Sequence, residues 1–200
     1  MSNDTYVFAE TKGDAPTAPS LFLFHGTGGD EHQFLDLGPQ LMPGARLVAP
    51  RGDVSEGGAL RYFKRTGEGR YDMADLARAT TKMAGFVAAQ KGDASESIAF
   101  GYSNGANIIA AVLFEAPEAF DRAVLAHPLI PFTPAPQPGL RGKKILITAG
   151  KRDGMCPAPQ TQGFADWLTG QGADVTLFWH EGGHEIRQEE LVAVRDWLGA

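Results

Sequence analysis

Ile98-Ala99-Phe100-Gly101-Tyr102-Ser103-Asn104-Gly105-Ala106-Asn107-Ile108-Ile109 decides how the rest of the chain is read. An apolar run suited to a buried strand meets a turn carrying one serine, and an apolar helical stretch follows. Glycine stands two residues before and two residues after Ser103. A turn that tight brings the backbone at both points against neighbouring elements, where a Cβ would clash. Glycine also accepts the dihedrals such a turn imposes. The G-x-S-x-G spacing is the one that holds a serine hydroxyl up on a strained strand-to-helix turn. The pattern also arises by chance, so its weight depends on what surrounds it.

Working outward, Leu21-Phe22-Leu23-Phe24 and Arg46-Leu47-Val48-Ala49 read as buried strands before the turn. Arg122-Ala123-Val124-Leu125-Ala126, Lys144-Ile145-Leu146-Ile147-Thr148-Ala149 and Asp174-Val175-Thr176-Leu177-Phe178-Trp179 read as strands after it. Near-continuous apolar runs are what a parallel sheet covered on both faces requires. Tyr6-Val7-Phe8 is a further short strand, with a polar loop from 10 to 19. Between the strands the period turns helical. Asp30 caps a helix through Phe34, Leu35 and Leu37, closed by Pro39 and Pro43. Met73, Leu76, Thr80, Met83 and Val87 lie along one face of a second helix, which starts at Asp72 and ends at Gly92. Helices also follow from Asn104 to about Glu115, around Phe164, Trp167 and Leu168, and from Glu185 to Leu198. The last buries Ile186, Leu191, Val194 and Trp197. Strands alternating with helices predict a single α/β domain over residues 1–200, with a mostly parallel sheet and helices on both faces. Residues 127–143 hold five prolines, too many for a helix and too few residues for a lid. Residues 51–71 form the longest irregular stretch, suited to shaping specificity.

Composition narrows the functional classes. The chain is 43% hydrophobic and 21% charged, enough for a sizeable core. A formal charge of −6 argues against binding nucleic acid or anionic membrane. No apolar run suits a membrane span, and Met1-Ser2-Asn3-Asp4-Thr5 lacks the basic and apolar parts of a signal peptide. Cys156 is the single cysteine, so no intrachain disulfide forms, and a cytoplasmic address is the default expectation. Five histidines without a close carboxylate-rich cluster make a metal site improbable. A homodimer is left open.

In open parallel sheets ligands bind beyond the carboxyl ends of the strands. The polar residues at those ends are 25–30, Ser103, His127, Asp153 and His184. Serine, acid and histidine in that chain order match an α/β-hydrolase triad. Five stretches in register give the match its specificity: Phe24-His25-Gly26-Thr27-Gly28-Gly29-Asp30, Ala49-Pro50-Arg51-Gly52, Gly101-Tyr102-Ser103-Asn104-Gly105-Ala106, Gly150-Lys151-Arg152-Asp153 and Gly182-Gly183-His184-Glu185. Through them the chain resembles the small serine esterases of the phospholipase/carboxylesterase family of α/β hydrolases. The resemblance implies hydrolysis of a small-molecule carboxylic ester or thioester without metal or organic cofactor. It departs from familiar members at Asn104, where Gln is common, and at Met155-Cys156-Pro157, where Val-Pro follows the acid.

Chemistry assigns the roles. Ser103 needs a base to attack an acyl carbon, His184 supplies it, and Asp153 orients and stabilises the imidazolium. The backbone N–H of Asn104 is one oxyanion donor, and the resemblance implies the N–H of Thr27 as the other. His180 is the rival base, but it ends a strand directly, whereas Gly182-Gly183 let His184 fold back over the strand ends. Asp121 and Asp174 precede strands and belong at the opposite edge. His25 fits a structural role under the oxyanion loop, while His32 and His127 are expected at the surface or lining a pocket. Phe34, Tyr62, Phe63 and Cys156 are candidates for the substrate pocket, with core packing the competing explanation for the aromatics. Arg51, Arg61 and Arg65 fit either an anionic substrate group or solvated surface. Short or medium acyl esters suit a site without a lid. Thioesterase, lysophospholipase-type, peptide-hydrolase or acyl-transfer chemistry could use the same triad, and a hydrolase fold retained only for binding is the non-enzymatic alternative.

Overall fold

Two layers of helix enclose a central sheet in the computed structural model, which describes residues 5–200. Residues 1–4, part of the stretch whose composition spoke against a leader, lie outside the described residues. In chain order the elements are β1 (Phe8–Thr11), β2 (Ser20–Phe24), α1 (Gly38–Leu41), β3 (Arg46–Pro50), β4 (Val54–Glu56), β5 (Ala59–Arg61), β6 (Arg65–Gly67), β7 (Arg70–Tyr71), α2 (Met73–Lys91), β8 (Ser97–Tyr102), α3 (Asn104–Glu115), β9 (Arg122–Ala126), β10 (Lys144–Gly150), α4 (Ala158–Gly170), β11 (Asp174–His180) and α5 (Gln188–Leu198). Seven strands form the sheet in the order β1-β3-β2-β8-β9-β10-β11. β1 runs antiparallel to β3, and every other neighbouring pair is parallel.

The two faces divide the apolar residues by strand parity. Phe22, Phe24, Ala99, Leu125, Ile145 and Ile147 pack with α2, α3 and α4. Leu21, Leu23, Phe100, Val124 and Leu146 pack with α1 and α5. Each central strand therefore needs apolar residues at consecutive positions, which explains why the strands read as unbroken runs rather than alternations. Strand order reverses between β2 and β8, because the chain steps from β2 outward to β3 and returns to β8 on the other side. Loops leaving the carboxyl ends of β2 and β8 diverge there and open a crevice.

At that crevice the glycines of the opening stretch act as anticipated. A Cβ on Gly105 would lie 2.6 Å from the His25 carbonyl oxygen and against that of Phe24, while one on Gly101 would lie 2.5 Å from Ile109 Cδ1. Backbone carbonyls cannot move aside as a side chain can. Gly105→Ala is therefore expected to cost about 2 kcal/mol. That corresponds to a thermal midpoint lower by about 4–8 °C for a chain of this size. An unshifted midpoint in scanning calorimetry would contradict the close approach.

Several boundaries differ from the sequence reading. The first strand begins at Phe8 and runs to Thr11, into what reads as loop, because Phe8 to Thr11 pair with Pro50 to Leu47. Residues 31–37 form successive turns instead of a helix. Their N–H groups bond three residues back (Gln33 to Asp30, Leu35 to His32, Leu37 to Phe34), and the Asp30 carboxylate takes the His32 N–H at 2.8 Å. Pro39 opens the short α1 rather than closing a helix, a place where its missing N–H costs nothing. Met73 is exposed, off the buried face of α2 that carries Leu76, Thr80, Met83 and Val87. The last helix starts at Gln188, because Arg187 is extended and Glu190 reaches back to its N–H in a capping box. Residues 51–71 are two small hairpins, β4–β5 and β6–β7.

Candidate active site

Ser103 lies between β8 and α3 with φ 53° and ψ −116°, a backbone state that L-residues rarely adopt. The surroundings hold it there: its N–H donates to the Ala126 carbonyl at 2.8 Å, and its carbonyl takes the Asn107 N–H at 3.0 Å. The hydroxyl meets His184 Nε2 at 2.9 Å. His184 Nδ1 meets Asp153 Oδ2 at 2.7 Å. Three separate loops, after β8, β10 and β11, thus place serine, imidazole and carboxylate in one hydrogen-bonded line. Asp153 Oδ1 takes the N–H groups of Met155 and Cys156 at 2.8 and 2.9 Å. Burial alone would raise this carboxyl, but hydrogen bonds from His127, His184 and the Cys156 N–H outweigh it and hold Asp153 well below the usual carboxylate range. The loop bearing His184 is fixed by Tyr102, whose hydroxyl donates to the His184 carbonyl at 2.7 Å and whose ring lies 5.3 Å from the imidazole.

Opposite the serine, the loop after β2 brings Thr27 to the same cleft as Asn104. Among the described residues, neither backbone N–H is taken by a protein acceptor. His25 anchors this loop. Its Nδ1–H donates to the Gly26 carbonyl at 2.7 Å, and its Nε2 accepts the Gly52 N–H at 2.8 Å; burial lowers its pKa against the opposing Gly26 bond, and the Gly52 bond needs the Nε2 lone pair of the neutral ring. The hairpins add struts: Gly28 N–H donates to the Leu60 carbonyl at 3.0 Å, and Arg61 Nη1 donates to Thr27 Oγ1 at 2.9 Å.

The cleft over Ser103 encloses about 550 Å³. Tyr71, Leu129, Pro131, Arg61 and Arg65 are among the residues that line it. The proline-rich 127–143 segment therefore borders the serine without covering it. Another cleft of about 510 Å³, between residues 12–18 and 89–94, sits at the amino ends of β2 and β3, contains no histidine and has no place in this chemistry.

Not every expected pocket residue is there. Cys156 lines the cleft, with its thiol pushed up by burial and the nearby Asp153. Phe34, Tyr62 and Phe63 do not. Phe34 packs under the sheet against Phe100, at 5.2 Å between ring centroids. Tyr62 is fully buried because its phenol spans two backbone groups, donating to the Pro50 carbonyl and accepting the His25 N–H, and its own N–H binds Asn104 Oδ1. Phe63 is fully buried against Tyr71. Arg51 is committed to Glu31 through two 2.5 Å contacts. Arg65 pairs with Glu56, leaving buried Arg61 as the cation nearest Thr27. His32 is exposed, as expected. His127 is neither at the surface nor in the cleft: it is wholly buried behind Asp153, with Nδ1 3.0 Å from Asp153 Oδ2. Glu190, buried beyond His127, is one of three acids in α5, and sequence reasoning passed over it. The signal that singles it out is its spacing, since Glu190, Val194 and Leu198 recur every four residues on the inward stripe of α5.

A mostly parallel seven-strand sheet with a serine elbow at its switch point and a histidine and an acid at later strand ends defines an α/β hydrolase. The chain belongs to the dienelactone hydrolase family, whose model matches residues 63–189. MhqD of Bacillus subtilis (strain 168), a protein named as a hydrolase, is 39% identical over 181 residues, covering 88% of this chain and 90% of its own. Among solved structures, protein Atu2452 of Agrobacterium tumefaciens str. C58 is 51% identical with a TM-score of 0.91, over 100% of this chain and 98% of its own. The Bacillus cereus carboxylesterase is 34% identical with a TM-score of 0.90, over 98% and 95%. No helix among the described residues is long and apolar enough to cross a membrane.

Proposed function

We propose that this chain is a serine carboxylesterase that cleaves small-molecule esters of short to medium acyl chains. One observation carries the reading: the unbroken line from Ser103 Oγ through His184 to Asp153, at 2.9 and 2.7 Å. Ser103 attacks the acyl carbon while His184 Nε2 takes its proton. Asp153 holds Nδ1–H, and so keeps the free Nε2 lone pair aimed at the hydroxyl. The tetrahedral oxyanion is received by the Thr27 and Asn104 N–H groups, each worth roughly 3–4 kcal/mol by comparison with other such donors. His184 then returns the proton to the leaving alcohol, and a water repeats the sequence on the acyl-enzyme. Similarity to the Bacillus cereus carboxylesterase supports the ester class. The uncovered cleft supports a compact acyl group, because nothing over it buries a long chain.

The experiment is a series of p-nitrophenyl esters from acetate to decanoate, run beside matched thioesters. Turnover is expected to peak at acetate to hexanoate and to favour oxygen esters; a peak at decanoate or on thioesters would overturn the substrate assignment. A histidine base adds a pH signature. An imidazole can take the Ser103 proton only through a free lone pair, so the rate is expected to fall on acidification. A flat rate from pH 5 to 8 would count against it.

A further inference from the structure

Behind the Ser103–His184–Asp153 line lies a buried cluster that the proposed reaction does not use. His127 and Glu190 are its centre, with exposures of 0% and 1%. His127 Nδ1 lies 3.0 Å from Asp153 Oδ2, the same oxygen that receives His184. Its Nε2 lies 3.2 Å from Glu190 Oε1. Glu190 is held in turn by the Thr148 hydroxyl at 2.5 Å and the Arg187 N–H at 3.1 Å. The backbone is strained to make this possible. Among the described residues, Ser103 and His127 are the only non-glycine residues with positive φ, at 53° and 52°. A β-carbon in that region is strained and persists only where neighbours over-determine it.

A metal ion would be the first rival explanation, since His127, His180 and Glu190 bring their ligand atoms together. The His180 tautomer excludes it. The Gly182 N–H donates to His180 Nδ1 at 3.0 Å, so the ring proton sits on Nε2, the atom that faces the cluster. His180 is therefore a donor there, 3.5 Å from Glu190 Oε2, and has no lone pair for a cation.

We propose that His127, clamped between Asp153 and Glu190, is a positioning residue that fixes the Asp153 carboxylate toward His184 and, through it, the aim of His184 at Ser103. The proposal rests on the serine-esterase reading above. The groups facing His127 are Asp153 after β10, Glu190 on α5, His180 at the end of β11, His184 in the following loop, Tyr102 at the end of β8 and Cys156, whose thiol donates to the His127 carbonyl. Among the described residues no lysine or arginine side chain pairs with Asp153 or Glu190. His127 is thus the basic group that bridges the two buried carboxylates. Burial opposes its charge, but hydrogen bonds to Asp153 and Glu190 prevail and raise it to about 9. His127 and His184 meet the same Asp153 oxygen with their rings 5.2 Å apart, so a displacement of His127 is passed to the base through that carboxylate. Glu190 holds His127 in place from the far side.

The test is kcat and KM for p-nitrophenyl butyrate at pH 7.5 in the native protein, Glu190→Gln and His127→Asn. Asparagine tolerates the left-handed backbone and retains a donor toward Asp153, but it carries no charge. In both variants kcat is expected to fall roughly tenfold with KM unchanged, because the base is mis-aimed while the cleft is intact. Variant kcat values equal to the native one, or a loss carried by KM, would overturn the proposal, provided native Ser103 is labelled by a fluorophosphonate. If native Ser103 is not labelled, the esterase reading falls and takes this proposal with it. Should either variant fail to fold, ¹⁵N-edited spectra of the native imidazoles decide the matter. Two protons on His127 at pH 7.5 are expected, and a neutral His127 would overturn it.

Discussion

Ser103→Ala is expected to lower ester turnover by roughly four to six orders of magnitude while leaving the fold intact. The substitution removes only the hydroxyl that meets His184. The Ser103 N–H keeps its bond to the Ala126 carbonyl, and the strained turn is set by the packing of Gly101 and Gly105 rather than by the side chain. Residual hydrolysis would come from the Thr27 and Asn104 donors acting on an attacking water. Circular dichroism and a thermal midpoint matching the native protein separate lost chemistry from lost structure. More than a few per cent of native turnover in a folded Ser103→Ala protein would exclude this serine as nucleophile.

Asp153→Asn carries the second large effect, and it strikes both rate and stability. An amide nitrogen in place of Oδ2 faces two imidazole nitrogens that both need an acceptor, at 2.7 and 3.0 Å. His184 is then driven to the wrong tautomer, and kcat should fall by about 10⁴. His127 loses one of its two anions while remaining buried, a loss of about 3 kcal/mol or more. The unfolding midpoint at pH 7 should therefore drop by several degrees, unlike that of Ser103→Ala. The cluster also dictates when stability is present. Asp153 and Glu190 are held low, so their contribution exists above the ordinary carboxylate range and disappears as pH falls through their folded values. His127 is held high, so its contribution is complete below about pH 6.5 and is lost as pH rises through about 9. Native stability should accordingly decline on the alkaline side, and the decline should be shallower in Asp153→Asn. Equal slopes in the two proteins would contradict the ion cluster.

The sheet was legible because every central strand is buried on both faces, so apolar residues had to be contiguous. Ser103, Asp153 and His184 stood out for a related reason: each is polar just beyond such a run, where parallel sheets place ligands. Gly182-Gly183 favoured His184 over His180, and in the structure His180 is buried while His184 meets the serine hydroxyl. The pocket was not legible. Tyr62 and Phe63 sit between arginines in a glycine-rich stretch, a pattern shared by cleft walls and by hairpins that fold their aromatics under a loop. Only the long-range bonds from Tyr62 to His25, Pro50 and Asn104 decide between them. His127 was hidden differently. Its neighbours Asp153 and Glu190 are 26 and 63 residues away in the chain, and no local pattern reports a contact of that span.

Treating the purified protein with a fluorophosphonate and mapping the modified peptide by mass spectrometry tests the central claim most directly. The account expects one adduct per chain, on Ser103, with labelling slowed when His184 is replaced by alanine. An adduct on another residue, or none while ester turnover continues, would contradict it.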